Sequence, residues 1–221
     1  MSHHVYLVRH GQGEHNVEPT VQNRKIHDPA LTDLGVRRCK DFNKTFPEYI
    51  HIDLVCASPM RRAIQTAKYC FEDVIARTPC RQILLLPLAQ ETTNEPCDVG
   101  SSSDAIKEEF GDLVDVSMLG KDWATKEGTY AASPEGVIAR GREFRQWLRQ
   151  QQDKNVIVVG HGAFWDYLFG ADANDVLSPG YKSSWTNRQW RVCAFPKAES
   201  DGPMVEEKES IMRRNVLDDG K

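Results

Sequence analysis

Three short stretches of this chain end an apolar run on groups suited to holding a tetrahedral anion: LVRHG at Leu7 to Gly11, CASPMRRAIQTA at Cys56 to Ala67, and VIVVGHGAFW at Val156 to Trp165. In the first, a strand that stops on Arg9 and His10 presents an imidazole beside a fixed cation. A neutral imidazole is a competent nucleophile near neutral pH, and a guanidinium fork matches two oxygens of a phosphoryl group. Gly11 then allows a backbone conformation or a close approach to ligand that a side chain would block. In the second, Arg61 and Arg62 fall in the first turn of a helix whose amino end already favours anions. In the third, His161 stands between Gly160 and Gly162 on a tight turn. The chemistry these groups suit is phosphoryl transfer.

The elements that must position them follow from hydrophobic periodicity. Short apolar runs at His4 to Val8, Ile52 to Ala57, Ile83 to Leu88 and Asn155 to Val159 read as buried strands. Thr32 can cap a helix with the stripe Leu34, Cys39, Phe42, Phe46. Ser58 and Pro59 read as the N-cap and first position of a second helix, with Ala63, Ile64, Ala67, Cys70, Phe71 and Val74 on one face. Ser133-Pro134 opens another, on Val137, Phe144 and Leu148. Strands alternating with helices call for an α/β fold with a mainly parallel sheet covered on both faces. Gln189 to Phe195 can add one more strand, at an edge. The irregular stretch from residue 88 to 133 is long enough to be a lid or binding loop. The expected organisation is one domain over residues 1–197, with 88–133 inserted as a cap and a charged tail at 198–221.

Composition narrows the class. The chain has 221 residues, of which 40% are hydrophobic and 27% charged, so it can bury one substantial core. A formal charge of −4 gives no general attraction to nucleic acid or anionic lipid, so an anion site must be local. No apolar run approaches the roughly 18 residues that cross a bilayer, and the start has no leader pattern. The six cysteines, Cys39, Cys56, Cys70, Cys80, Cys97 and Cys193, form no CxxC and read as reduced thiols, which fits a cytoplasmic setting. Neither nucleic acid nor membrane is an expected partner, and homodimerisation is left open.

In order and spacing the three stretches resemble the histidine phosphatase superfamily, the phosphoglycerate mutase-like fold. Asn16 and the segment DPALTDLG (Asp28 to Gly35) match its pattern too, and the resemblance spans roughly residues 4–195. It implies a three-layer αβα sandwich. It further implies that His10 is the nucleophile, that Arg9, Arg62 and His161 hold the phosphoryl oxygens, and that a carboxylate protonates the leaving group. Arg62 aligns with the family arginine because it directly precedes the Ala-Ile-Gln-Thr run, which leaves Arg61 as a solvated helix residue. Glu91, just after the third strand, is the expected acid, with Asp98 in reserve. Asn16, Gly162 and Trp165 complete the expected substrate-binding set, Trp165 lining the mouth. Trp123 and Trp185 read as packing residues, His15 as either a pocket or a turn residue, and His3, His4, His27 and His51 as uninvolved.

No metal or cofactor is implied, and the expected partner is a small phosphorylated molecule: a sugar, a nucleotide, or an isoprenoid or other apolar phosphate. Hydrolysis through phosphohistidine ranks first. A phosphoglycerate mutase reaction ranks second, because its polyanionic ligands need a cationic cap. Residues 88–133 hold only Lys107, Lys121 and Lys126 against ten carboxylates. The continuation QGEHN also departs from the mutases and is closer to the mutase-like phosphatases of fungi and plants. A silent interaction protein ranks last, given the intact Arg9, His10, Arg62, Glu91 and His161.

Overall fold

The computed structural model describes residues 4–17, 21–47, 50–151, 155–178, 180–194 and 202–218. Its centre is a seven-stranded sheet. The strands are β1 (Val5–Arg9), β2 (Leu54–Ala57), β3 (Ile83–Leu85), β4 (Val114–Asp115), β5 (Val156–Gly160), β6 (Trp190–Ala194) and β7 (Val205–Glu206). They are ordered β4-β3-β2-β5-β1-β6-β7. Five neighbours from β4 to β1 run parallel, and β6 and β7 add antiparallel pairings.

Helices cover both faces, which makes the architecture the three-layer α/β sandwich that the alternating pattern called for. Tyr6, Val8, Val55, Ala57, Ile157 and Val159 point to one face. There they meet α1 (Asp33–Thr45), α2 (Arg61–Cys70), α3 (Glu72–Arg77) and α4 (Ser103–Phe110). The alternate residues Val5, Leu7, Leu54, Cys56, Val156 and Val158 pack on α5 (Pro134–Gln150) and α6 (Gly162–Leu168). A strand buried on both sides must be apolar at consecutive positions, which is why these read as continuous runs. The short helix α7 (Ala173–Leu177) packs against α5 and α6.

Several local expectations need correction. Ser58 and Pro59 do not start α2: Met60 is its N-cap, and the Ser58 hydroxyl is engaged elsewhere. Phe71 ends α2 and a separate helix α3 begins at Glu72, so the single apolar face spans two helices. Leu34 is exposed, and the buried face of α1 turns on Gly35 and Cys39 instead. Gly35 is buried because α1 presses on the loop after His10, where a Cβ would lie 2.3 Å from the Gln12 carbonyl oxygen. Thr32 does cap α1, accepting from the Gly35 amide at 2.9 Å, and Ser133 caps α5.

The third strand stops at Leu85, since Pro87 opens a 3-10 turn. The inserted stretch is not all cap, because it supplies α4 and the edge strand β4. Strand β6 lies inside the sheet, between β1 and β7. The charged segment after it is not merely solvated: β7 pairs with Cys193 and Ala194, and α8 (Lys208–Asp218) lays Arg213 on the Trp190 ring at 3.3 Å. Phe195, Lys197 and residues 198–201 lie outside the described residues, as does His3.

All six cysteines are free, five of them buried and Cys80 exposed. No helix among the described residues is long and apolar enough to cross a membrane. Phe71 is fully buried at the junction of α2 and α3, edge-on to Phe42 and Phe46. Phe71→Ala should cost about 3–5 kcal/mol of unfolding free energy, read as a lower urea midpoint at constant m-value.

Candidate active site

Parallel pairing of β1 with β5 places Arg9 opposite Gly160, so the residues that follow, His10 and His161, leave the sheet side by side. Their ring centroids are 5.2 Å apart. Between them and the amino end of α2 sits Arg62, fully buried. Its Nε donates to His10 Nε2 at 3.4 Å and its Nη2 to His161 Nδ1 at 3.2 Å. Nη1 donates to the Cys97 carbonyl at 2.6 Å, and Nη2 also reaches Asp98 Oδ1 at 2.9 Å.

These partners assign the tautomers. A guanidinium only donates, so both facing ring nitrogens must carry lone pairs. His10 Nδ1 then bears the proton and donates to the Gly11 carbonyl at 2.7 Å, leaving Nε2 bare. His161 bears its proton on Nε2 and donates to Ser58 Oγ at 2.9 Å. Burial, followed by the Arg62 charge, holds both imidazoles well below their ordinary pKa. His10 is therefore an uncharged imidazole whose Nε2 lone pair, held only by a long 3.4 Å contact from Arg62, stands among cations, and an unprotonated nitrogen is what nucleophilic attack on phosphorus requires.

A cavity of about 490 Å³ opens above His10. Arg9 lines it, with Nη1 donating to the Trp185 carbonyl and a buried Nε that has no partner among the described residues. Glu91, Thr92, Thr93, Asn94, Glu95 and Asp98 form one wall, and Ser178, Gly180, Tyr181, Lys182 and Ser183 another. That second wall is pinned by Asp166 of α6, whose carboxylate accepts from the Ser184 amide at 3.0 Å and the Tyr181 hydroxyl at 3.2 Å.

The two carboxylates differ. Asp98 has both oxygens engaged, by Arg62 and by Thr93 Oγ1 at 2.6 Å. Glu91 accepts from the Thr92 amide at 3.0 Å through Oε1, and its second oxygen has no hydrogen-bond partner among the described residues. Burial, with Asp98 nearby, pushes the Glu91 carboxyl up, toward the protonated form.

Of the expected residues, Arg9, His10, Glu91 and Asp98 line the cavity directly; Arg62 and His161 do not, being fully buried and packed behind His10. Asn16 lines it as well, with Oδ1 taken by the Gly13 amide. Trp165 does not reach the mouth: it is fully buried, packs on Phe144, Phe164 and Trp185, and donates Nε1 to the Val8 carbonyl. Gly162 does not line the cavity either; its missing side chain lets Ser183 pack onto α6, since a Cβ would meet Ser183 Oγ at 2.4 Å. Arg61 is partly exposed and pairs with Glu109. His15, which the sequence left open, stands 5.6 Å from His10 on the wall, and burial beside Arg62, Arg9 and Arg24 pushes its imidazole down to about 2.

Sequence reasoning missed Ser58, which masqueraded as a helix cap, and the cavity cations Arg24 and Lys182, which come from outside the 88–133 stretch. It also missed Lys126 and Arg140, buried behind Glu91. Arg140 had a signal, standing three residues after Val137 and four before Phe144 on an otherwise apolar stripe.

The sequence model of the histidine phosphatase superfamily (branch 1) matches residues 5–193. This chain belongs to that superfamily. Among its relatives, a protein of Schizosaccharomyces pombe named "probable phosphatase" is 31% identical over 161 residues, covering 72% of this chain and 73% of the relative. A phosphoglycerate mutase-like protein of Arabidopsis thaliana is 30% identical over 219 residues, covering 78% and 77%. The fold is shared with the phosphoserine phosphatase of Entamoeba histolytica, solved with 3-phosphoglyceric acid. That likeness has a TM-score of 0.56 at 18% identity and covers 93% of this chain and 95% of the other.

The buried neutral imidazoles carry a pH signature. A histidine whose folded pKa lies below its ordinary 6.5 binds its proton only on unfolding, so stability is complete above about pH 6.5 and falls as the solution is acidified. Each such group contributes up to about 1.4 kcal/mol per pH unit below that point. Urea titrations at several pH values should show His10→Gln with a flatter acid loss than the parent, and an unchanged slope would contradict the neutral assignment.

Proposed function

We propose that this member of the superfamily hydrolyses small organic phosphate monoesters through a phosphohistidine on His10. The observation that carries the reading is the bare Nε2 of His10, fixed by the Nδ1–H bond to the Gly11 carbonyl and flanked by Arg62, at the base of the cavity.

In the first step the Nε2 lone pair forms a bond to phosphorus while the ester P–O bond breaks. The departing oxygen keeps the electron pair and takes the Glu91 proton. The Nδ1–H bond to the Gly11 carbonyl stabilises the positive charge that the ring acquires. Arg9 opposes the charge on the phosphoryl oxygens with a preorganised donor at the cavity, and Arg62 adds its buried positive charge from behind His10, a role that elsewhere falls to a metal. In the second step the Glu91 carboxylate takes a proton from water as that water attacks phosphorus. The N–P bond breaks, its electron pair returns to Nε2, and inorganic phosphate leaves. The printed name of the Schizosaccharomyces pombe relative supports a phosphatase, and the cavity volume suits a small ester.

Hydrolysis is favoured over mutase chemistry by the charges on the wall. Glu95 ties up Arg24 through both carboxylate oxygens, at 3.0 and 3.2 Å, and Asp98 ties up Arg62. That leaves Lys182 as the cavity cation, besides Arg9, that pairs with no carboxylate among the described residues.

The protein should hydrolyse p-nitrophenyl phosphate in excess EDTA, with His10→Ala at least about a thousand-fold slower; dependence on added metal would refute the scheme. Glu91→Gln should lose about 10²–10⁴-fold on an alkyl phosphate, whose alkoxide needs a proton, and far less on the nitrophenyl ester. Equal losses would remove Glu91 as the acid.

A further inference from the structure

The main-chain carbonyl of Glu91 accepts hydrogen bonds from two buried cations, Lys126 Nζ at 2.9 Å and Arg140 Nη1 at 3.1 Å. Lys126 is 9% exposed and Arg140 1%. They arrive from separate places, Lys126 from the loop before Gly128 and Arg140 from the middle of α5.

Fixing one neutral carbonyl needs one neutral donor. Two desolvated like charges are a costly way to do it. Burial, then Arg140, pushes the Lys126 ammonium down to about 7, and burial pushes Arg140 down to about 10. Arg140 Nε and Nη2 find no partner among the described residues. Lys126 itself holds a left-handed backbone with φ of 57°, unusual for a residue with a side chain. Desolvated charge, unpaired donors and a strained backbone converge on Glu91, and such costs persist where function requires them.

The neighbouring residues are anchored as well. The Gln90 side-chain Nε2 donates to the Trp123 carbonyl at 3.0 Å, and the Thr92 hydroxyl to the Val176 carbonyl at 3.0 Å. The Glu91 carboxyl thus projects from a segment held on both sides and at its own peptide.

We infer that Lys126 and Arg140 are positioning residues for the proton-transfer step. They lock the Glu91 peptide so that its carboxyl stays aimed at the departing oxygen, and they supply positive potential when that carboxyl is left as an anion. The inference rests on the reading of Glu91 as the proton donor. A purely structural pin between α5 and the loop would slow all esters alike, whereas a positioning role falls on those whose leaving group needs the proton.

The test compares kcat/KM for an alkyl phosphate and for p-nitrophenyl phosphate in the full chain, with Lys126→Gln, Lys126→Arg and Glu91→Gln side by side. Lys126→Gln should lose at least about ten-fold more on the alkyl ester than on the nitrophenyl ester, and Lys126→Arg, which keeps a cationic donor, should restore most of that ratio. If Lys126→Gln does not fold, Arg140→Gln is read in the same way. Equal losses on both esters in the Lys126 or Arg140 variant, with Glu91→Gln still discriminating, would overturn this inference and leave Glu91 as the acid. Equal losses in Glu91→Gln would overturn both.

Discussion

A single buried guanidinium organises this molecule's chemistry. Arg62 has no access to water, and removing a cation from water is expensive unless its donors are all met. Here four of its five N–H groups are met, by a carboxylate, a main-chain carbonyl and two imidazoles. The last pair matters most. An imidazole facing a guanidinium at hydrogen-bond distance cannot itself be protonated on that side, so burial and then Arg62 hold both histidines neutral, and Arg62 dictates which nitrogen bears the lone pair. The structural requirement to satisfy a buried charge and the requirement of the proposed chemistry for an unprotonated imidazole nitrogen are met by the same contacts.

The sheet makes that arrangement possible. His10 and His161 are about 150 residues apart in the chain, yet β1 and β5 are adjacent, parallel and in register, so both side chains emerge at one carboxyl edge. Strand β2 lies on the other side of β5 and delivers Ser58 to His161 and, one turn later, Arg62 to both rings. Ligand crevices form at the carboxyl ends of strands in open α/β sheets, and here three neighbouring strands each contribute to one. Glu91, the proposed acid, comes from farther along that edge, after β3, and its main-chain carbonyl is held by cations from the loop and α5 behind it.

Much of this was legible in the sequence because it is local. An apolar run followed by Arg-His-Gly or Gly-His-Gly identifies the element, its end and the group displayed there. What escaped depends on contacts between distant segments. Ser58-Pro59 has the composition of a helix start, yet the hydroxyl is taken by His161 and the helix begins after Met60. Trp165 is one helical turn beyond His161, but its ring turns inward and donates to the Val8 carbonyl of β1. Strands β4 and β7 have two residues each, too short for any periodicity, and exist because an established edge offers partners. Lys126 lies in a polar loop whose composition says nothing of burial. Family membership supports the fold and the site's location, and the tautomers come from hydrogen-bond geometry alone.

The central claim is that His10 Nε2 is the atom that receives the phosphoryl group. Rapid-quench trapping under alkaline conditions, followed by peptide mapping of the phosphorylated protein, tests it most directly. The account predicts one phosphoryl group per chain, stable to base and labile to acid, on the peptide containing His10. Acid-stable label, or label on any other residue, would contradict it.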